Sequence, residues 1–363
     1  FGADEKILYQ SHPHIGTNKL PHIITAMREH IIACGGQVHF ETKVTDFILE
    51  NNRISKLVLH NGNRIAVTAV LLATGHSARD IFELLHHKGI QIEAKPFALG
   101  VRVEHPQELI DRIQYHCSIR DPYLPPASYS LVQQVEGKGV FSFCMCPGGI
   151  IAPASTSPGQ LVVNGWSPSK RNNPYANSGM VVSVDEQDAY QFLKAQQLKP
   201  QPDDPLLLLR FQQWVEEAAY RAGGGRFRAP AQRMTDFFDK KLSATLPPCS
   251  YVPGINSAAL DTVLPHFIHE KLRLAFAAFG KKMKGYFTEE AVVVATESRT
   301  SSPVRIPRVA DQLCHPQISN LYPCAEGAGY AGGIVSAAMD GEKVATAIAA
   351  VVTPHNLPDS KNV

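Results

Sequence analysis

The sequence predicts an α/β protein, and three observations predict it. An apolar strand over 69–73 ends in Thr74-Gly75 after several short β-rich runs. A late strand, LYPCAE at 321–326, delivers an acid straight into four glycines and a final helix over 333–351. Between them, from 95 to 285, prolines cluster and short strands mix with amphipathic helices, which marks a separate α+β region.

Taken in order, residues 18–35 (NKLPHIITAMREHIIACG) carry apolar side chains at helical spacing, with Gly35-Gly36 as the stop. The β-rich runs that follow break at Asn51-Asn52 and Asn61-Gly62, which predicts two hairpin turns. The second is the stronger signal, because Asn-Gly suits a type I′ loop. Helices are expected at 185–197 and 205–222, a basic one at 265–284, and a strand over AVVVATES, 291–298. The last residues, 356–363, read as a tail.

Composition sets bounds but names no activity. The chain has 363 residues, 44% hydrophobic and 19% charged, ordinary values for a soluble globular protein. With a net charge of only +2, no global electrostatic argument favours nucleic-acid or membrane partners. No apolar run approaches the roughly 18 residues that span a bilayer, and no secretory signal is present, so a cytoplasmic protein is expected. Seven scattered cysteines fit reduced thiols better than a disulfide framework. The chain begins at Phe1 without an initiator methionine, which fits a fragment or a processed chain.

The closing stretch, CAEGAGYAGGIVSAAMDGEKVATAI, raises the chemical question. Gly327, Gly329 and Gly332 satisfy the GxGxxG pattern of a dinucleotide fingerprint. A true fingerprint opens a domain and needs a second strand with an acid about 20 residues on. Here the helix runs out near 351, leaving no room for that strand, so the glycines close a domain. Glycines admit a ligand close to the backbone. The helix aims free N–H groups at it, and Glu326 is placed to accept from sugar-like hydroxyls. A cofactor with a polyol and an electron-rich end, a flavin, suits that set; a tight helix–strand packing turn is the alternative.

These residues resemble the closing flavin motif of glutathione-reductase-type FAD proteins, and Ala73-Thr74-Gly75 resembles the ATG motif of the same fold. More narrowly, ATGHSARD (73–80), KPFALGVRVEHP (95–106), FCMCPGG (143–149), NGWSPSKRNNPYANS (164–178), SSPVRIPR (301–308) and LYPCAEGAGYAGGIVSAAMDG (321–341) resemble a bacterial family of uncharacterised FAD-dependent dehydrogenases, or NAD(P)/FAD-dependent oxidoreductases. The resemblance implies an FAD/NAD(P)-binding domain in two parts, 1–97 and 286–355, with an inserted α+β substrate domain over 98–285. It also implies that a first βαβ unit, present in the family, is missing before Phe1. This chain is therefore expected to bind FAD weakly or not at all. Cofactor contacts are implied for Thr74, Gly75, His76, Glu326, Gly327, Gly329, Tyr330, Gly332, Gly333 and Ser336. The family's reaction being poorly defined, the substrate is left as an unknown small molecule, with NADH or NADPH as a possible electron donor.

Other candidates each carry a plainer reading. Cys144 and Cys146 are two apart on an expected strand, hence on one face. They are either thiols beside a flavin or two buried structural thiols. His12 and His14 in SHPHIGT can share a face as metal ligands or lie in a loop by the site mouth. In ATGHSARD, Ser77 suits a helix N-cap, and Arg79 can meet a phosphate or Asp80. Alternation after KPFALG places Arg102 and Glu104 on one strand face, lining a cleft or merely exposed. Arg102, Arg299 and Arg305 are candidates to bind an anionic substrate. His105, Cys146 and Lys95 are the candidate proton donors or catalytic groups. The helix HEKLRLAFAAFGKKMKGYF interleaves cations and aromatics, which admits an RNA-binding flavoprotein as an alternative to a solvated amphipathic helix. A non-catalytic flavin-binding scaffold is a third reading.

Overall fold

Two asparagines make the first tight turn. In the computed structural model, which describes residues 1–9 and 15–352, Asn51 and Asn52 have φ of 50° and 58°. Positive φ at both central residues defines a type I′ hairpin turn, and it joins Val44–Glu50 to Arg53–Leu59 in antiparallel register. The expected ranking of the two turns is thus reversed. At Asn61-Gly62 only Gly62 has positive φ. The Asn61 carboxamide accepts from the Asn63 N–H instead, giving a longer loop into Arg64–Ala66. His12 and His14 lie outside the described residues.

The chain divides into two units: one built from stretches within 1–34, 98–184 and 211–300, the other from 35–97, 185–210 and 301–352. The second unit holds the three-stranded meander and a parallel pair, Val70–Leu72 beside Leu321–Pro323. Its helices are Arg79–His87, Glu186–Ala195 and Ile334–Val351. Its core gathers Phe47, Ile54, Phe82, Leu85, Leu206, Leu209, Val304 and Leu321. Each such side chain fully removed from water stabilises the fold by about 1.5–3 kcal/mol. Leu206 and Leu209 explain why 185–210 belongs here. The buried Asn320 amide receives the Ile54 N–H at 2.8 Å and donates to the Ile54 carbonyl at 2.8 Å, tying the meander to the last strand.

The first unit is organised by a seven-stranded sheet. Its strand order is Ile255–Ser257, Ala229–Arg233, Val292–Glu297, Phe97–Pro106, Tyr175–Val184, Lys138–Cys146, Val132–Val135. Val292–Glu297 is buried throughout and pairs antiparallel on both sides, with Ala229–Arg233 and with Phe97–Pro106. That central place puts 286–300 with this sheet, although the sequence assigned those residues to the second part of the cofactor domain. Residues before 35 also group with this unit: Gly16 packs on the Ser169 backbone, and the Thr17 N–H donates to the Ser167 carbonyl at 3.1 Å. Gly100 is required where strands cross, since a Cβ there would lie 2.0 Å from the Met180 carbonyl oxygen.

The basic helix is His266–Lys282. Ile268, Leu272, Ala275, Phe276 and Phe279 are buried along it, so its aromatics pack inward. Three of its cations are engaged by neighbouring groups: Lys271 with Glu136, Arg273 with Glu270, Lys282 with the Val132 carbonyl. The cation–aromatic alternation is a packing pattern. Among the described residues, no helix is long and apolar enough to cross a membrane.

Candidate cofactor site

The parallel register Val70↔Leu321, Leu71↔Tyr322, Leu72↔Pro323 brings two strand ends to one edge. The Cys324 N–H extends the ladder by donating to the Leu72 carbonyl at 3.0 Å. Beyond it both chains turn, Gly75 at φ 74° and Ala325 at φ 59°. The two loops then touch along their backbones. A Cβ on Gly327 would lie 2.7 Å from the Gly75 carbonyl carbon and oxygen and 2.8 Å from its nitrogen, so only glycine fits there. In open α/β sheets, ligands collect outside the carboxyl ends of parallel strands.

Charge is concentrated around this contact. The Glu326 side chain is 35% exposed, and one carboxylate oxygen lies 3.0 Å from Nδ1 of His76. The Lys95 stem runs over Gly329, whose φ of 84° and missing Cβ leave room for it. Partial burial, and then the neighbouring Arg305, push the Lys95 ammonium below the ordinary lysine range, with Glu326 opposing. One half-exposed acid and three basic side chains therefore surround two touching glycine loops.

The helix mouth is only partly free. Gly332 faces open space, but Ser336 Oγ accepts from the Gly333 N–H at 3.1 Å and donates to the Gly333 carbonyl at 3.0 Å. Ser336 thus caps the helix, and its hydroxyl is engaged there. Tyr330 is also engaged: its hydroxyl accepts from the Arg308 N–H at 3.1 Å, and Arg308 lies 3.8 Å over its ring. The helix Arg79–His87 has Ala78 at its N-cap, not Ser77, and Asp80 pairs with Lys43 at 2.7 Å.

Arg308 and Asp340 escaped the sequence reading. Asp340 accepts from Arg308 at 2.7 and 3.0 Å and from the Ala325 N–H at 2.8 Å, clamping the last helix to the glycine loop. A lone acid in the apolar stretch SAAMDG was the available clue. Burial opposes ionisation of Asp340, but hydrogen bonds from Arg308 and Ala325 outweigh it and hold the carboxyl below the usual range. A depressed folded pKa gives stability that is present above the unfolded value, near 4, and lost as pH falls. Asp340→Asn is expected to destabilise the protein by about 1–3 kcal/mol at pH 7 and to flatten the acid side of its stability–pH curve, read by urea unfolding.

The remaining candidates belong to the first unit, and several stand corrected. Arg102 does not line a cleft. It is 0% exposed and donates to Glu297 at 2.9 Å, to Asn177 at 2.9 Å and to the Cys144 carbonyl. Gly165 makes space for it: a Cβ there would lie 2.0 Å from the guanidinium. Glu104 is equally buried and accepts from the Ser250 N–H at 2.7 Å. His105 is 0% exposed, with Nε2 2.8 Å from the Tyr286 carbonyl, and burial pushes its pKa down to about 4. A neutral, enclosed imidazole is a structural group, so its proton-donor role is withdrawn. Arg299 pairs with buried Glu216 at 3.2 Å and donates to Thr156 at 2.7 Å, which removes it as a substrate ligand.

Cys144 and Cys146 differ sharply in exposure, because the strand that carries them is irregular. The register steps from Gly179↔Phe143 to Asn177↔Cys146, one extra residue on the cysteine strand, and Cys144 sits at φ 46°. This bulge leaves Cys144 exposed and Cys146 buried beside Arg102, whose Nη2 is 3.8 Å from its sulfur. Among the described residues, no group of three or more His, Cys, Asp or Glu is placed to hold a metal ion.

This is a mixed α/β chain with one large sheet and a glycine-lined, acid-bearing edge. Residues 96–300 match the family described as FAD-dependent protein, C-terminal domain-like, and the chain belongs to that family. The match covers the seven-stranded sheet; Gly75 and Gly327 lie outside it. An uncharacterised protein of Clostridium beijerinckii is 40% identical over 348 residues, 95% of this chain and 63% of that relative's length. Two solved structures are distantly similar. A salicylate hydroxylase substrate complex has a TM-score of 0.35 and 11% identity, over 85% of this chain and 50% of that one. A Bacillus cereus glycine oxidase has 0.33 and 14%, over 92% and 56%. Neither likeness bears on substrate or chemistry.

Proposed function

We propose that this chain belongs to a flavin-dependent oxidoreductase, a dehydrogenase acting on a small molecule, with FAD as cofactor and NADH or NADPH as electron donor. Membership of an FAD-dependent family supports the cofactor. The observation that carries the reading is the bare contact of Gly327 with Gly75 at the carboxyl edge of two parallel strands, with Glu326 half-exposed beside it. Gly327 is fixed as glycine by the Gly75 backbone it touches, whereas Gly75 and Gly332 face open space where a Cβ would stand, and bare main chain of that kind is what close approach to a cofactor needs.

In this reading Thr74 and Gly75 present main chain to the cofactor, Gly327 and Gly329 admit the Gly75 backbone and the Lys95 stem that shape the edge, and Glu326 accepts from the ribityl hydroxyls of the cofactor. The open backbone at Gly332, ahead of the last helix, faces its electron-rich end. FAD, when bound, supplies two-electron exchange with the substrate. The chain's own residues orient, exclude water and manage protons. Lys95, its ammonium destabilised beside Arg305, is the group at this edge best placed to give up a proton from Nζ. His76 lies beside Glu326, with Nδ1 3.0 Å from the carboxylate.

Anaerobic titration of the full-length gene product with NADH and NADPH, following the flavin absorbance, tests the reading. Bleaching by one of the two nucleotides is expected. A bound flavin that neither NADH, NADPH nor dithionite-coupled acceptors can cycle supports the non-catalytic scaffold instead.

A further inference from the structure

We propose that Cys144 and Cys146 form a reversible dithiol–disulfide pair, in which Cys144 attacks a hydroperoxide and Cys146 resolves the product. The proposal is independent of the flavin reading and rests on the first unit alone. Two cysteines spaced i, i+2 on a regular strand bridge poorly, but this strand is not regular. The bulge and the φ of 46° at Cys144 bend the chain between them, so that the Cys146 sulfur lies 3.4 Å from the Cys144 carbonyl oxygen. One thiol is exposed and reachable; the other is 4% exposed and shielded.

A fixed cation spans the pair. Arg102 donates to the Cys144 carbonyl and approaches the Cys146 sulfur, and Glu297 and Asn177, each at 2.9 Å, prevent it from swinging away. The two thiols are thereby made unequal. The hydrogen bond from Cys146, and then Arg102, pull Cys144 down to about 6 against the effect of burial, whereas Cys146 is pushed up and keeps its proton. The charged and titratable groups acting on the pair are Arg102, Glu297, Tyr129 and Arg171. The lowered pKa favours the thiolate at Cys144, the nucleophilic form.

The chemistry balances as a two-electron oxidation of the dithiol. The Cys144 thiolate attacks one peroxide oxygen, the O–O bond breaks, and a sulfenic acid forms as the other oxygen leaves and is protonated to water or an alcohol. The Cys146 sulfur then attacks the Cys144 sulfur. The S–S bond forms, and the hydroxyl departs as water with the proton from Cys146. An external thiol reductant returns both electrons.

Treatment of the purified chain with hydrogen peroxide, followed by thiol blocking and peptide mass analysis, tests this. The peptide containing both cysteines is expected to lose two hydrogens and both blockable thiols, and dithiothreitol is expected to restore them. Cys146→Ser should accumulate a dimedone-reactive sulfenic acid at Cys144, and Cys144→Ser should leave Cys146 unoxidised. Cys144 should also alkylate at pH 7 about tenfold faster than exposed Cys34. Overoxidation of Cys144 in the wild-type chain without a disulfide, or labelling no faster than at Cys34, overturns the proposal. Both serine variants nearly preserve shape, and circular dichroism verifies their folding.

Discussion

Arg102→Met is expected to destabilise the chain by about 3–5 kcal/mol, the cost of leaving a buried ion pair with one member. Its partner Glu297 is 1% exposed, and the same substitution strips donors from Asn177 and from the Cys144 carbonyl. Nothing polar enters in their place, because the methionine brings no hydrogen-bond donor. The charge is the cause, which a second variant separates from volume: Arg102→Met with Glu297→Met should recover much of the loss, since paired apolar replacements avoid the stranded carboxylate. Burial already holds the Glu297 carboxyl above its ordinary range even with Arg102 present. Without the arginine the folded state binds that proton more tightly than the unfolded state does. The deficit of the single variant should therefore narrow as pH falls. Urea unfolding from pH 5 to pH 8 reads all three effects, and a loss below about 1 kcal/mol would mean that the pair contributes no more than an exposed one.

Gly327→Ala is expected to weaken FAD binding by at least about tenfold, the equivalent of 1.4 kcal/mol. The added methyl would sit 2.7 Å from Gly75. No flexible side chain is there to yield, because the atoms it meets are main chain. The two loops must part, at a cost of about 1–3 kcal/mol for overpacking, and the edge proposed to receive the cofactor loses its shape. Gly35 is the control. It has φ of 85° and open space around it, so an alanine there brings backbone strain without a clash and without a change at the site.

Local patterns were legible from residues alone. The helices Leu20–Ala33, His266–Lys282 and Ile334–Val351 follow apolar spacing, the first ending at Gly35-Gly36, and the last strand's acid-then-glycine ending marks the edge where the loops meet. Pairings across long separations were not. FALGVRVEHP alternates as a two-faced strand, yet both faces are covered in the sheet interior, and the partner that makes Arg102 tolerable lies 195 residues away. The cysteine pair misled for a related reason: alternation assumes an unbroken strand, and a bulge depends on the neighbouring strand's register. Arg308 and Asp340 were overlooked because a clamp between a loop and the second turn of a helix leaves no spacing pattern in the chain.

The central claim is that Glu326 and the Gly75–Gly327 contact form the edge that receives a flavin. An equilibrium titration of the full-length gene product with FAD, comparing wild type with Glu326→Gln, Gly327→Ala and Gly35→Ala, tests it most directly. Removing the carboxylate's charge-assisted hydrogen bonds should cost about 1.5–3 kcal/mol, roughly a 10- to 100-fold loss, with a comparable loss for Gly327→Ala and none for Gly35→Ala. Wild-type affinity in correctly folded Glu326→Gln and Gly327→Ala would contradict the claim, and the flavin would have to bind elsewhere.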